Sequence, residues 1–258
     1  MNILDRIIDT KRLEVAQLKM TGVPSAEHRP LNPSIHQSLG GTDLSVIAEI
    51  KRASPSKGDI SLNVDPVAQA KRYAASGATV ISVLTDQTYF KGSMEDLAAV
   101  TAAVDVPVLC KDFMVDRIQI DLAKAHGASL ILLIVAALDD DTLHDLYDYA
   151  YASGLEVLVE VHDATELERA ERLQAKIIGI NNRNLKKFEV SLDTSLALLK
   201  TKSPDVRYIS ESGIKTVEEA KMLHAAGADG ILIGETLMRA ENPADFIQAV
   251  SGAKHDTH

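Results

Sequence analysis

From Leu44 onward the chain repeats one unit, a short run of Val, Ile and Leu followed by a segment whose apolar residues recur at helical spacing. Few folds accommodate that rhythm. The apolar runs are too continuous for a sheet with one wet face, so they predict parallel strands covered on both sides. Strands are expected at Val46–Ile50, Thr79–Leu84, Val106–Lys111, Leu130–Ile134, Glu156–Glu160, Ile177–Asn181, Val206–Ser210 and Gly230–Ile233. Helices are expected between and after them at Pro66–Ser76, Met94–Ala103, Arg117–His126, Asp140–Ser153, Ala164–Gln174, Leu192–Leu199, Val217–Ala226 and Ala244–Ser251. About eight uninterrupted βα units predict an α/β fold, a single (β/α)8 TIM barrel with an N-terminal extra helix. The other architecture for such a repeat is a doubly wound open sheet. Against it, no G-x-G-x-x-G follows the first strand and the repeat does not break in the middle.

Local signals mark the unit boundaries. Gly77, Gly127 and Gly227 each stand where a helix should end before the next strand. Asp65 before Pro66 is an N-cap followed by proline at the first helical position. Thr216 and Glu219 have the spacing of a capping box. Asp139, Asp140 and Asp141 open a helix, where acidic side chains complement the dipole, and read as capping rather than as a metal site. Ahead of the repeat, Asn2–Lys19 has a helical period of apolar residues, with its charges read as a solvated outer face. Thr21–Gly41 is rich in Gly and Pro and reads as a connector with one helical turn around Ile35–Leu39. The expected organisation is an extension and connector over residues 1–44 and a catalytic barrel over residues 45–254.

Composition narrows the function. With 258 residues, 46% of them apolar, the chain can build a core that needs no staples. Cys110 is its single cysteine, so no internal disulfide forms, and no soft-ligand cluster suggests structural zinc. The net charge of −10 argues against binding nucleic acid or an anionic membrane surface. The opening M-N-I-L-D-R-I-I-D lacks a signal peptide's apolar centre, and the most apolar run, Ala128–Leu138, is too short to cross a bilayer. The expectation is a cytoplasmic monomer.

In a barrel, chemistry collects where strands end. Here the strand ends carry Glu49 and Lys51, then Lys111-Asp112, Glu160, Asn181 with Arg183, Glu211-Ser212-Gly213, and Gly234-Glu235-Thr236. So many polar groups ending so apolar a sheet point to a site. Glu49 and Lys51 are two apart on a strand and should share a face. Beyond them Ser54, Pro55, Ser56 and Gly58 open a long loop. Lys111, desolvated near another cation such as Lys51, would have a lowered pKa and act as a general acid, unless it is merely paired with Asp112. Glu160 at the mouth of an apolar strand is a candidate base or a rim charge. His162 reads as a supporting or surface residue. Asn181 and Arg183 offer an amide beside a guanidinium that can clamp an anion, or a simple turn. Ser212-Gly213 and Gly234-Glu235 offer backbone N–H groups to a phosphate after the last two strands. A carboxylate would repel that phosphate, so the Glu235 side chain should turn away.

The motifs E-I-K-R-A-S-P-S-K-G, C-K-D-F-M-V-D, L-V-E-V-H, G-I-N-N-R-N-L, I-S-E-S-G-I and I-G-E-T-L-M, in that order, closely resemble the indole-3-glycerol phosphate synthases of tryptophan biosynthesis. The likeness runs from the N-terminal helix to about Met238. Asn184 stands where that family commonly has Asp, and the Thr21–Gly41 connector has no evident match. The resemblance implies a small phosphorylated substrate, 1-(2-carboxyphenylamino)-1-deoxy-D-ribulose 5-phosphate. Its products would be indole-3-glycerol phosphate, carbon dioxide and water, formed with no cofactor and no metal. It implies Lys111 as the acid in ring closure, Lys51 and Glu160 as acid and base in the later dehydration, and Glu49 and Glu211 as positioning carboxylates. Asn181 and Arg183 would orient the substrate, with Arg183 near its anionic end. Ser54, Ser212, Gly213, Gly234 and Glu235 would line the phosphate pocket, and the Ser54–Gly58 loop would close over it. A phosphoribosylanthranilate isomerase would leave Lys111 with Glu160 unexplained. A non-catalytic phosphosugar-binding barrel would not need both an acid and a base.

Overall fold

The computed structural model describes residues 2–24, 34–55, 58–60, 63–184 and 189–252. Strand β1 (Ser45–Ile50) leads into a small antiparallel hairpin, β2 (Ala53–Ser54) and β3 (Gly58–Asp59). Then follow β4 (Val80–Leu84), β5 (Val108–Lys111), β6 (Leu130–Ile134), β7 (Glu156–Val161), β8 (Ile177–Asn181), β9 (Arg207–Glu211) and β10 (Gly230–Ile233). Apart from the hairpin, these strands are parallel and close into an eight-stranded barrel, with β10 pairing back onto β1. The helices are α1 (Ile3–Thr21), α2 (Ile35–Ser38), α3 (Pro66–Ala75), α4 (Met94–Ala103), α5 (Arg117–Ala125), α6 (Asp140–Ala152), α7 (Ala164–Arg172), α8 (Asp193–Leu198), α9 (Val217–Ala225), α10 (Glu235–Arg239) and α11 (Pro243–Ser251). The (β/α)8 barrel with an extra N-terminal helix is the architecture the repeat predicts.

Two apolar layers follow from the period-2 alternation of each strand. Val46, Ala48, Ile81, Val83, Ile131, Leu133, Val157 and Val159 face outward into the helix layer. Ile47, Val80, Leu109, Leu130, Leu132, Leu158, Ile177, Ile209 and Leu232 fill the interior. The inward series then ends in polar residues: Ile47 is followed by Glu49, Leu109 by Lys111, Leu158 by Glu160, Ile177 and Gly179 by Asn181, and Ile209 by Glu211. These residues stand at or near the ends of their strands, with Leu84 beside Lys111, Ile134 beside Glu160 and Asn181 beside Glu211.

The short helix α2 closes the opposite end. Its Ile35 and the following Leu39 pack on the interior layer. Glu156, at the start of β7, accepts from Ser34 Oγ (2.7 Å) and from the Ile35 N–H (2.6 Å), satisfying the start of α2. The connector's expected helical turn is therefore a floor for the barrel. Residues 25–33 of that connector, including Pro30 and Pro33, lie outside the described residues.

Helix α1 lies at the functional rim, and one expectation about it needs correcting. Its charges do not all face solvent: Lys11 falls on the buried stripe with Leu4, Ile7, Ile8 and Val15 and is 2% exposed. Its ammonium is held by Asp86 (2.9 Å), Asp112 (2.9 Å) and Glu14 (2.8 Å). Smaller differences have local causes. Strand β5 begins at Val108 rather than Val106, because Pro107 has no N–H for a ladder although its carbonyl accepts from Ile81. Helix α7 stops at Arg172, two residues before Gln174, whose φ is +58°.

Candidate active site

A cavity of about 750 Å³ opens at the C-terminal ends of the strands. All twelve residues singled out in the sequence line it: Glu49, Lys51, Ser54, Lys111, Glu160, Asn181, Arg183, Glu211, Ser212, Gly213, Gly234 and Glu235. Ser56 and Lys57, the middle of the loop expected to close over it, lie outside the described residues, as does Leu185 of the N-N-R-N-L motif.

One side of the cavity is charged. Lys51 Nζ is 2.6 Å from Glu49 Oε1, so the two do share a face. Lys111 Nζ stands between Glu160 Oε2 (3.6 Å) and Glu211 Oε2 (3.7 Å). Asn181 Nδ2 donates to Glu160 Oε1 at 3.1 Å, and Asn181 Oδ1 accepts the Arg183 N–H at 3.0 Å. The three glutamates are almost wholly buried. Two glycines make room for them. A Cβ on Gly179 would collide with Glu211 Oε1, and one on Gly234 would come within 2.7 Å of Glu49 Oε1.

This packing of charge changes the acid–base expectations. Lys111 was expected to have a lowered pKa because of a neighbouring cation. Burial does work against its charge, but Glu160, Glu211 and Glu49 outweigh burial and raise it above the ordinary lysine value. Nor is it paired with Asp112, which bonds Lys11 and Thr85 instead. Lys111 is thus an ammonium with a proton to give. For Glu160, burial favours the neutral acid, but Lys111, His162 and Asn181 together hold it well below the usual carboxylate range. Glu211 goes the other way: burial, and then the Glu160 charge, push it up to about 8 in spite of Lys111. The carboxyl groups on β7 and β9, on either side of β8, are thus shifted in opposite directions. Glu49 Oε2 and Glu211 Oε1 are buried without a hydrogen-bond partner among the described residues, leaving polar atoms for a guest to satisfy.

Another part of the lining is apolar. Phe90 and Phe113 meet with ring centroids 5.9 Å apart, beside Leu132, Ile134 and the α1 residues Ile3, Leu4 and Ile7. Both phenylalanine loops are fixed by the Lys11 cluster. Asp86 Oδ1 accepts from the N–H groups of Tyr89 (2.6 Å) and Phe90 (3.1 Å), and Asp112 Oδ1 from that of Phe113 (2.8 Å). None of this was read from the sequence. Lys11 gave one signal, its position on the apolar stripe of its helix; loop phenylalanines have no periodicity to give one.

The third part suits an anion. Ser212 (φ +65°) and Gly213 (φ +84°) are both left-handed. Buried Asn182, another residue the sequence reading passed over, holds this turn by donating from Nδ2 to the carbonyls of Glu211 (3.0 Å) and Ser212 (3.1 Å). Gly234 and Glu235 begin α10, and Glu235 Oε1 accepts from Arg239 Nε at 3.1 Å, so its carboxylate has a cationic partner on its own helix. Thr236 Oγ1 donates to the Ile214 carbonyl at 2.6 Å and ties the last two loops together. Ser54 reaches the cavity from the hairpin, whose base is anchored by the ion pair of Arg52 with Asp96 on α4.

Comparison with known proteins fits this arrangement. A family model described as indole-3-glycerol phosphate synthase matches residues 4–250. An indole-3-glycerol phosphate synthase from Exiguobacterium sibiricum is 90% identical over 258 residues, covering all of both chains. One from another Exiguobacterium strain is 51% identical over 96% of each chain. Among solved structures, 3-hexulose-6-phosphate synthase from Salmonella typhimurium shares the fold, with a TM-score of 0.66, 14% identity, and coverage of 81% of this chain and 97% of that one.

Proposed function

Because the chain belongs to the indole-3-glycerol phosphate synthase family, we propose that the charged rim around Lys111 and Glu160 performs that family's reaction here. The activity is that of a carboxy-lyase of L-tryptophan biosynthesis. It closes a second ring on 1-(2-carboxyphenylamino)-1-deoxy-D-ribulose 5-phosphate and releases carbon dioxide and water. In ring closure the aryl carbon bearing the carboxylate bonds to the ketone carbon. The carbonyl electron pair moves to oxygen, which takes a proton from Lys111. Loss of carbon dioxide returns an electron pair to the aryl ring. The new hydroxyl then departs as water with a proton from Lys51, while Glu160 removes the proton that must leave carbon for the second ring to become aromatic.

The surroundings suit each part of that substrate. Phe90 and Phe113 present an apolar surface to the aryl ring. The left-handed Ser212–Gly213 turn and the Gly234–Glu235 backbone, with Ser54 and Arg183, suit the phosphate end. Glu49 holds Lys51, Asn181 orients Glu160, and Glu211 places a second carboxyl group beside Lys111. The observation that carries the reading is the lysine ammonium set between two buried carboxyl groups at the end of an apolar barrel. One chain supplies acid and base together, which supports a monomer. Among the described residues no helix is long and apolar enough to cross a membrane, in keeping with a cytoplasmic enzyme.

Turnover of Lys111→Ala and Glu160→Gln tests the assignment. The indole product fluoresces over a protein with no tryptophan. Each variant should lose at least about a hundredfold in kcat. Near wild-type turnover in both would refute the assigned roles.

A further inference from the structure

His162 lies just past the end of β7, two residues beyond Glu160, with a side chain 11% exposed. Its ring stands between two carboxylates. Nε2 is 3.2 Å from Glu160 Oε1, an ion-pair contact rather than an aligned hydrogen bond. Nδ1 is 2.9 Å from Glu166 Oε2, and the same Glu166 oxygen accepts the His162 backbone N–H at 2.8 Å. Glu166 is itself set by the first turn of α7, where its N–H donates to Asp163. A neutral imidazole has one N–H and can serve one carboxylate; an imidazolium serves both. Burial disfavours that charge, but Glu160 and Glu166 outweigh it and raise the ring's pKa to about 10.

We propose that His162 is a positioning residue for the reaction: gripped by Glu166, its imidazolium keeps Glu160 ionised and turned toward Lys111 and Asn181. This rests on Glu160 acting as the base. The charged groups around the pair are Lys111, Glu211 and, farther along the rim, Glu49 from the barrel strands, with Glu166 from α7. Two cations contact Glu160 among the described residues, Lys111 and His162 itself. Lys111 gives up its charge when it protonates the substrate oxygen. At that stage, of the two cations that contact Glu160 among the described residues, His162 remains to hold it as a carboxylate until the final proton removal. Glu166, which holds His162 through both its ring and its backbone N–H, is the anchor that makes a fixed cation of a titratable ring.

His162→Gln keeps a donor and removes the charge. We expect kcat to fall about tenfold with KM little changed, the scale seen when a supporting partner of a reactive group is lost. Removing a neighbouring cation raises a carboxylate's pKa, so the acid limb of the kcat–pH profile should move upward by about one unit. Glu166→Gln, which leaves the ring in place, should move the same limb in the same direction by less. Wild-type kcat and an unmoved acid limb in His162→Gln, while Glu160→Gln is inactive, would overturn the role of His162. Full activity in Glu160→Gln would instead overturn the base assignment beneath it. If His162→Gln fails to fold, Glu166→Gln decides: an unmoved acid limb overturns the proposal and a raised one upholds it.

Discussion

Replacing Lys11 with Met removes the one cation that Asp86 and Asp112 share among the described residues. The ammonium is 2% exposed and contacts Asp86, itself fully buried, and Asp112, each at 2.9 Å. Methionine keeps most of the stem's packing, so the loss is electrostatic: Asp86, fully buried, and Asp112, 12% exposed, are left without the cation they share. Breaking a buried pair in this way costs about 3–5 kcal/mol. Glu14 is half-exposed and contributes no more than a surface pair, up to about 1 kcal/mol. Against a total stability of about 5–15 kcal/mol, the loss should be plain in urea unfolding. The pH sign is also fixed. Asp112 and Asp86 overcome the burial of Lys11 and raise its pKa above the unfolded value of about 10.4. Its contribution is therefore complete below that value and is shed only in more alkaline solution, so the deficit of the variant should not vary with pH near neutrality. The cluster also fixes the Phe90 and Phe113 loops, so KM should rise more than kcat falls. A loss of less than about 1 kcal/mol, the value of an exposed pair, would refute the reasoning.

Gly179→Ala should displace Glu211, because the added methyl would occupy the place of its carboxylate. A misplacement of about 1 Å can cost about a hundredfold, so kcat should drop steeply in steady-state assays while circular dichroism stays native. Glu211 itself gives a pH signature. Its folded pKa of about 8 lies above the ordinary carboxylate value, so the folded state holds a proton that the unfolded chain has released, and wild-type stability falls as pH rises toward 8. Glu211→Gln cannot titrate and should gain relative to wild type over that range in thermal unfolding; parallel curves would contradict the assignment.

The barrel was legible because its signal is redundant. Strands such as β6 and β10 are unbroken apolar runs, buried by the helices outside and the packed interior within, and helices such as α3 and α9 begin with side-chain caps, Asp65 and Thr216. The charged rim was legible for the same reason: Glu49, Lys111, Glu160 and Glu211 continue an inward period-2 series that is otherwise apolar. What could not be read were relations between elements. The charge state of Lys111 depends on three carboxylates from three other strands, and the local sequence offers only Asp112, which turns away to Lys11. The two-residue strands of the hairpin hide in a Pro/Gly loop, and Asn182 looks like a turn residue until its three bonds to Ser210, Glu211 and Ser212 are seen. His162 showed its spacing from Glu160, but not the Glu166 carboxylate that holds it.

The most direct test of the whole assignment is a crystal structure with indole-3-glycerol phosphate bound. The phosphate should lie against the backbone N–H groups of Gly213 and Gly234, the indole against Phe90 and Phe113, and Lys111 Nζ and the Glu160 carboxylate should both face the newly closed ring. A phosphate seated elsewhere, or a ring out of reach of Lys111 and Glu160, would contradict it.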